Sequence, residues 1–136
     1  MPHFGNRSRG HLDSCHSDIQ KVFNEVIKHI DCSVTEGYRD ALAQNRYYDE
    51  GKSKVKHPHG RHNKIPSLAA DVTPYPVDYA DLERQTLFAG FVLGVAKMMG
   101  IDMIWGNDWD GDFQTKDTQL KDYPHFELVH KIGKEE

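Results

Sequence analysis

The sequence contains no apolar run that could cross a bilayer. Its longest apolar stretch, Leu87–Met99, has 13 residues and includes Lys97, whereas a membrane-spanning helix needs about 20 apolar residues. The first 16 residues lack the apolar segment of a secretory signal peptide. We therefore expect no membrane insertion and no signal-directed export.

Cysteine is also scarce, and basic residues do not outnumber acidic ones. Cys15 and Cys32 are the only cysteines, and a helix between them would hold them roughly 25 Å apart, far beyond the reach of a disulfide. We expect two free thiols. Seventeen basic against 21 acidic residues give a net charge of -4, which disfavours a nucleic-acid-binding role.

The 136 residues, 38% hydrophobic and 28% charged, predict one soluble globular domain over residues 1–136. Helices are expected at Ser17–Ile30, at Asp40–Tyr48 and from Asp78 or Asp81 to Met99, and strands at Cys32–Glu36, Leu68–Val72, Met103–Trp105 and Phe126–Val129. Residues 1–13 are expected to form a polar surface arm and residues 131–136 a solvated tail. This order predicts an α+β fold, with a small, mainly antiparallel sheet and about three packed helices.

Two histidines and one aspartate are candidate metal ligands. His62 precedes the apolar segment that Asp71 closes, and His125 lies just before the last predicted strand. Such a set suits Zn²⁺ with an open fourth position, and Asp122, three residues before His125, could act as a general base. As alternatives, His62 could be a surface loop residue and His125 a strand cap. A carboxylate such as Asp71 is costly to bury without a partner.

Longer motifs around these residues resemble the M15 zinc peptidases. That group comprises D,D-carboxypeptidases and L-alanyl-D-glutamate endopeptidases and includes small phage endolysins. The motifs are GRHNKIPSLAADVTPYP, DYPHFEL, EGYRDALAQ and WGNDW, and the similarity extends over roughly residues 8 to 130. His62, Asp71, Asp122 and His125 fall on the family's metal and base positions, and Arg39 falls on its substrate-facing arginine.

One spacing departs from the family pattern. Asp71 follows His62 by nine positions in the sequence, where seven is usual, which leaves His57 and His59 as alternative ligands. His62 alone keeps the direct run into PSLAAD, so it is the preferred ligand.

The resemblance implies a Hedgehog-type peptidase fold with one zinc ion per chain at the sheet. His62, Asp71 and His125 would bind the zinc, and Asp122 would be the base. Arg39 would stabilise an oxyanion or a substrate carboxylate, unless it forms a structural salt bridge to Asp40 or Glu36. His59, Trp105 and Trp109 are expected to contact substrate, with packing against the core as the alternative for Trp105 or Trp109. The acidic Asp108–Asp112 segment is expected to be a surface turn, with a weak accessory cation site as the alternative.

The implied function is a monomeric phage endolysin that cuts peptidoglycan stem peptides between L-Ala and D-Glu. The implied location is the host cytoplasm, with access to the wall after a membrane lesion. A D,D- or L,D-carboxypeptidase is the alternative within the same chemistry. A non-catalytic zinc-containing virion or wall-binding module is the alternative outside it.

Overall fold

The computed structural model of the protein describes residues 2–116, 118 and 121–129. Its α-helices are α1 (Asn6–Asp13), α2 (Ser17–Val26), α3 (Ala41–Asp49) and α4 (Leu82–Met98), and a 3-10 helix spans Arg61–Asn63. Its strands are β1 (Cys32–Glu36), β2 (Ala69–Pro74), β3 (Met103–Trp105) and β4 (His125–Leu128). No helix in these described ranges combines the length and apolarity needed to span a membrane.

The four strands form an antiparallel sheet in the order β1-β2-β4-β3. Asp71 pairs with His125, and Ala70 pairs with Phe126. Because successive side chains on a strand point to opposite faces, this register gives the sheet an apolar face and a polar face. The predicted α+β class is confirmed, and Cys32–Glu36 and Met103–Trp105 have the predicted strand bounds.

Helices α2 and α4 cover the apolar face of the sheet. The buried side of α2 carries Ile19, Val22, Phe23 and Val26, at the spacing of an amphipathic helix. The Phe23 ring meets the Phe126 ring of β4 edge to face, with centroids 5.6 Å apart. The core therefore lies between these helices and the sheet, and the polar face is left for other residues.

Helix α2 begins at the predicted residue, Ser17, but ends earlier than predicted. His16 is its N-cap, and the His16 side chain accepts from the Asp18 amide. The helix ends at Val26, and residues 27–29 form a turn. Periodicity alone extends the helix to Ile30, because Ile27 and Ile30 continue the apolar stripe through the turn.

The expectation of a polar surface arm over residues 1–13 misses helix α1 (Asn6–Asp13) and its attachment to the core. Phe4 and Leu12 are buried in the core, and the Val34 amide of β1 donates to the Ser8 hydroxyl at 3.0 Å. The described residues therefore contain four α-helices, where about three were expected. The predicted tail, residues 131–136, lies outside the described residues.

Candidate metal centre

Three side chains meet on the polar face of the sheet. His62, Asp71 and His125 each offer a ligand atom within 4.8 Å of the other two. Oδ1 of Asp71 lies 3.2 Å from Nε2 of His62 and 3.4 Å from Nδ1 of His125. The structure thus brings together the three residues chosen from the sequence and places neither His57 nor His59 in that group.

The sheet and one short helix position these three groups. Asp71 and His125 are register partners on β2 and β4, so their side chains leave the same face side by side. His62 is held from both sides, since its Nδ1 lies 2.7 Å from the Gly37 carbonyl and its own carbonyl accepts from the Arg39 amide at 2.8 Å. The short helix therefore presents Nε2 of His62 to Asp71.

The charges within the cluster stabilise one another. Burial by itself would raise the pKa of Asp71, but His62 and His125 outweigh burial and hold that pKa well below its usual value. Burial would lower the pKa of His125, but hydrogen bonds to Asp71 and Glu127 raise it to about 10. The cluster therefore combines one carboxylate with two imidazoles, and a cation bound there would replace protons.

Asp122 lies beside the cluster and partly in solvent. Its Oδ2 is 3.9 Å from Nδ1 of His125, and its side chain is 49% exposed. Burial first, and the negative charge of Asp71 second, raise the pKa of Asp122. A carboxylate with a raised pKa and access to solvent is suited to exchange protons with water.

Gly106 fixes the backbone that carries Asp122. The Asp122 amide donates to the Gly106 carbonyl at 2.7 Å, and the Gly106 amide donates to the His125 carbonyl at 2.7 Å. A Cβ on Gly106 would collide with the Asp122 carbonyl. The residue after Trp105 must therefore be glycine for Asp122 and His125 to keep their places.

Arg39 lies at the edge of the cluster, inside a polar network. Its guanidinium donates to Glu36 at 2.6 Å and to Gln44 at 3.0 Å, and it lies 3.9 Å from Oδ2 of Asp71. Of the two salt bridges considered as alternatives for Arg39, the structure shows the one to Glu36. Arg39 also lines a cavity of about 570 Å³ next to the cluster, so the salt bridge does not remove it from the site.

The same cavity receives two of the three predicted substrate contacts. His59 and Trp109 line it together with His62 and His125, and the ring centroid of Trp109 lies 5.3 Å from that of His125. Trp105 is different, because it is only 3% exposed and its indole N–H donates to the Tyr123 carbonyl at 2.6 Å. The prediction of a substrate contact is wrong for Trp105, whose register with Phe126 turns it toward the core.

Two residues of the site were not selected from the sequence. Glu127 accepts from Nε2 of His125 at 2.7 Å, and its other oxygen accepts from Nε of Arg61 at 3.0 Å. The available signal was the strand period, since His125 and Glu127 are two residues apart and so share a face. Arg61 has a weaker signal, because only its place beside His62 points to the site.

The acidic segment Asp108–Asp112 forms the expected turn. Gly111 and Phe113 have positive φ values of 68° and 62°, and the Phe113 amide donates to Asp108 at 2.8 Å. Carboxylate oxygens of Asp108, Asp110 and Asp112 lie within 4.8 Å of one another. The turn follows β3 and places Trp109 against His125.

The donor set at the cluster of His62, Asp71 and His125 fits zinc. Two imidazoles and one carboxylate are first-row metal ligands, and three protein ligands with an open fourth position are typical of catalytic rather than structural zinc. Each of the two histidines has one ring nitrogen directed at Asp71 and the other held by a protein oxygen. This is the arrangement found around metal-binding histidines.

The chain is similar to known peptidases. A family model described as phage L-alanyl-D-glutamate peptidase matches residues 1–129. Among solved structures, the chain is similar to the crystal structure of the L-Ala D-Glu endopeptidase ChiX of Serratia marcescens. The two chains are 27% identical with a TM-score of 0.74, and the match covers 94% of this chain and 91% of that one.

Proposed function

The chain belongs to the phage L-alanyl-D-glutamate peptidase family and is therefore a hydrolytic enzyme of the peptidoglycan-cleaving kind; we propose that one zinc ion bound by His62, Asp71 and His125 is its cofactor. The observation that carries this proposal is the meeting of three ligand atoms within 4.8 Å beside the partly exposed carboxylate of Asp122. The bond we propose for cleavage is the amide between L-Ala and D-Glu in a stem peptide.

When bound, zinc would activate a water molecule and polarise the carbonyl of the scissile bond. Asp122 is proposed to take a proton from the attacking water as the water oxygen bonds to the carbonyl carbon. As the C–N bond breaks, Asp122 returns the proton to the leaving nitrogen. The second proton of the water passes to the same nitrogen, so the products are a carboxylate on L-Ala and an ammonium group on D-Glu, and atoms and charge balance.

Arg39 is proposed to supply positive charge at the reacting end of the cavity. Burial would lower its pKa, but the contacts to Glu36 and Asp71 raise it, so the guanidinium stays charged. Glu36 and Gln44 hold the guanidinium in a fixed orientation. A pre-oriented guanidinium stabilises an oxyanion or binds a carboxylate without reorganisation cost.

His59 and Trp109 are proposed to bind the rest of the stem peptide. They lie on the wall of the 570 Å³ cavity that adjoins the metal centre. An indole face gives the peptide an apolar surface, and an exposed imidazole gives it a hydrogen-bond partner. Since substrate must reach the cluster through this cavity, these residues are suited to recognition rather than to chemistry.

Three further parts of the proposal come from the family likeness. We propose that residues 1–136 act as one domain, that the enzyme is a monomer, and that it reaches the wall from the host cytoplasm after a membrane lesion. Size-exclusion chromatography with light scattering tests whether the enzyme is a monomer, and a dimer at micromolar concentration would contradict that proposal.

The proposed function is tested by mass spectrometry of purified peptidoglycan after digestion, with and without a zinc chelator. We expect fragments with a new N-terminal D-Glu, which disappear on chelation and return with zinc. Release of free D-Ala alone would make the enzyme a carboxypeptidase. No release under any metal condition would contradict the catalytic proposal and favour a binding module.

A further inference from the structure

Arg61 and Glu127 connect the two elements that carry the metal-binding histidines. Arg61 begins the 3-10 helix in which His62 follows, and Glu127 lies two residues after His125 on β4. Nε of Arg61 donates to Oε2 of Glu127 at 3.0 Å, with side chains only 23% and 12% exposed. A charged pair this sheltered from water holds the two elements at a fixed separation.

Glu127 also determines which nitrogen of His125 is available to a metal. Its Oε1 lies 2.7 Å from Nε2 of His125, while Nδ1 of the same ring lies 3.4 Å from Asp71. An ionised carboxylate can only accept hydrogen bonds, so Nε2 keeps its proton. Nδ1, which faces Asp71, is therefore the ring nitrogen that is left to bind a cation.

His62 has the equivalent support from the main chain. Its Nδ1 lies 2.7 Å from the Gly37 carbonyl, which leaves Nε2 for Asp71. A main-chain carbonyl cannot be altered by substitution, whereas Glu127 can. Substitution can therefore remove the hydrogen-bond partner of His125, the Glu127 side chain, and leave that of His62, the Gly37 carbonyl, in place.

We propose that Glu127, held in place by Arg61, is a positioning residue that sets the tautomer and the ring orientation of His125 and thereby the metal affinity of the site. The inference rests on the proposed function, because it assumes the ligand set of His62, Asp71 and His125. It goes further by assigning a role to two residues outside that set, neither of which reacts with substrate.

Glu127→Gln is an informative substitution because it keeps the size of the side chain. One of the two carboxylate oxygens becomes an amide nitrogen, which cannot accept. The amide therefore satisfies either the ring N–H of His125 or the N–H of Arg61, but not both. Loss of such an outer partner typically weakens metal binding about 10- to 100-fold.

The chain offers a matched control in Glu25. Its two oxygens contact His29 at 2.9 Å and Lys28 at 3.2 Å, so it also joins a histidine to a basic side chain, but on the exposed surface of α2. Glu25→Gln removes the same charge from the same kind of contact away from the site. We expect it to leave zinc affinity unchanged.

The experiment measures the zinc dissociation constant by competition with a chromophoric chelator, for wild type, Glu127→Gln, Arg61→Gln and Glu25→Gln. We expect a 10- to 100-fold increase for Glu127→Gln, a smaller increase for Arg61→Gln, and no change for Glu25→Gln. Melting of the metal-free proteins verifies folding, and the visible spectrum of the Co²⁺-loaded forms reports ligand geometry. If Glu127→Gln does not fold, Arg61→Gln tests the same support, since it releases Glu127 without touching His125.

An unchanged zinc affinity and an unchanged Co²⁺ spectrum in folded Glu127→Gln would overturn the positioning role. So would a raised KM with unaltered metal affinity, which would make Glu127 a substrate contact. Failure of the wild type to bind zinc would instead reject the proposed function itself, so the two failures are distinguishable.

Discussion

Asp71 and His125 are register partners on neighbouring antiparallel strands, and their side chains form an ion pair with Oδ1 and Nδ1 3.4 Å apart. The pair is therefore fixed by the hydrogen-bond ladder of the sheet rather than by a loop. Since sheet register cannot change by less than one residue, the two proposed ligands keep their spacing when the surrounding loops move. The third proposed ligand, His62, docks onto this pair.

The choice of histidine ligand predicts different outcomes for three loop substitutions. His62→Ala should abolish stoichiometric zinc binding and activity, because His62 lies 3.2 Å from Asp71. His57→Ala and His59→Ala should keep one zinc per chain, and His59→Ala should raise KM because His59 lines the cavity. Metal analysis of the dialysed proteins measures this, and full zinc content in His62→Ala would reassign the ligand.

The proposed base predicts that Asp122→Asn separates catalysis from metal binding. An amide cannot take the proton, so kcat should fall roughly 10²- to 10⁴-fold, while zinc content stays at one per chain. Asp13→Asn is a suitable control, since it removes a carboxylate exposed at the end of α1. Residual activity of Asp122→Asn within tenfold of wild type would rule out the base role.

The two tryptophans are predicted to differ in the property they affect. Trp105→Ala should cost about 3 to 5 kcal/mol of unfolding free energy, as for a large buried aromatic. Trp109→Ala should leave stability nearly unchanged and raise KM, since this indole lines the cavity. Urea denaturation and steady-state kinetics separate the two effects, and an inverted pattern would contradict the assignment of core and cavity roles.

Helix α1 is predicted to be an integral part of the folded domain. Leu12 is fully buried, so Leu12→Ala should lower the free energy of unfolding by about 2 to 5 kcal/mol. Leu42→Ala is the matched control, because Leu42 is 78% exposed and its loss should change stability by less than about 0.5 kcal/mol. Equal stabilities of the two variants would mean that α1 is a detachable arm.

The buried thiols predict a loss of stability at alkaline pH. Burial raises the pKa of Cys15 and of Cys32 from 9.0 to about 12. Above pH 9 the unfolded chain loses these protons while the folded chain keeps them, so the free energy of unfolding falls as pH rises toward 12. At pH 10.5 the loss is at most about 2 kcal/mol per thiol.

Denaturation of wild type and a double Cys→Ala variant at pH 8 and pH 10.5 isolates this contribution. Between pH 8 and pH 10.5, the free energy of unfolding should fall less for the variant than for wild type. Parallel losses would show that other titrating groups account for the effect. A thiol reagent at pH 8 should also leave both cysteines of the native protein unlabelled.

The parts of the fold that could be predicted are those with a local signal. Strand β1 is visible because its apolar residues alternate, whereas helix α4 is visible as a long apolar run between Asp81 and Gly100. Helix α1 has no such signal, since its sequence NRSRGHLD contains a single large apolar residue. Its burial depends on the edge of β1, where Ser8 accepts from the Val34 amide, and such a contact is tertiary.

The residues of the candidate site also differ in whether the sequence alone reveals their role. Asp71 stands out in the sequence because a charge closes an apolar run, and His125 stands out through its motif. Glu127 looks like part of an ordinary strand until its distance to His125 is known. Trp105 and Trp109 share one motif, and only the pairing of Trp105 with Phe126 shows which of them faces the core.

The alternation along β4 has a consequence for how the protein reaches its active form. His125 and Glu127 face the metal centre, while Phe126 and Leu128 face the helices. A slip of one residue between β2 and β4 would turn the histidine toward the helices and the phenylalanine toward the polar face, which disrupts the candidate site and the core together. If the proposed zinc site is correct, a misregistered chain is neither stable nor metal-loaded, and the zinc content of a refolded sample counts its correctly paired molecules.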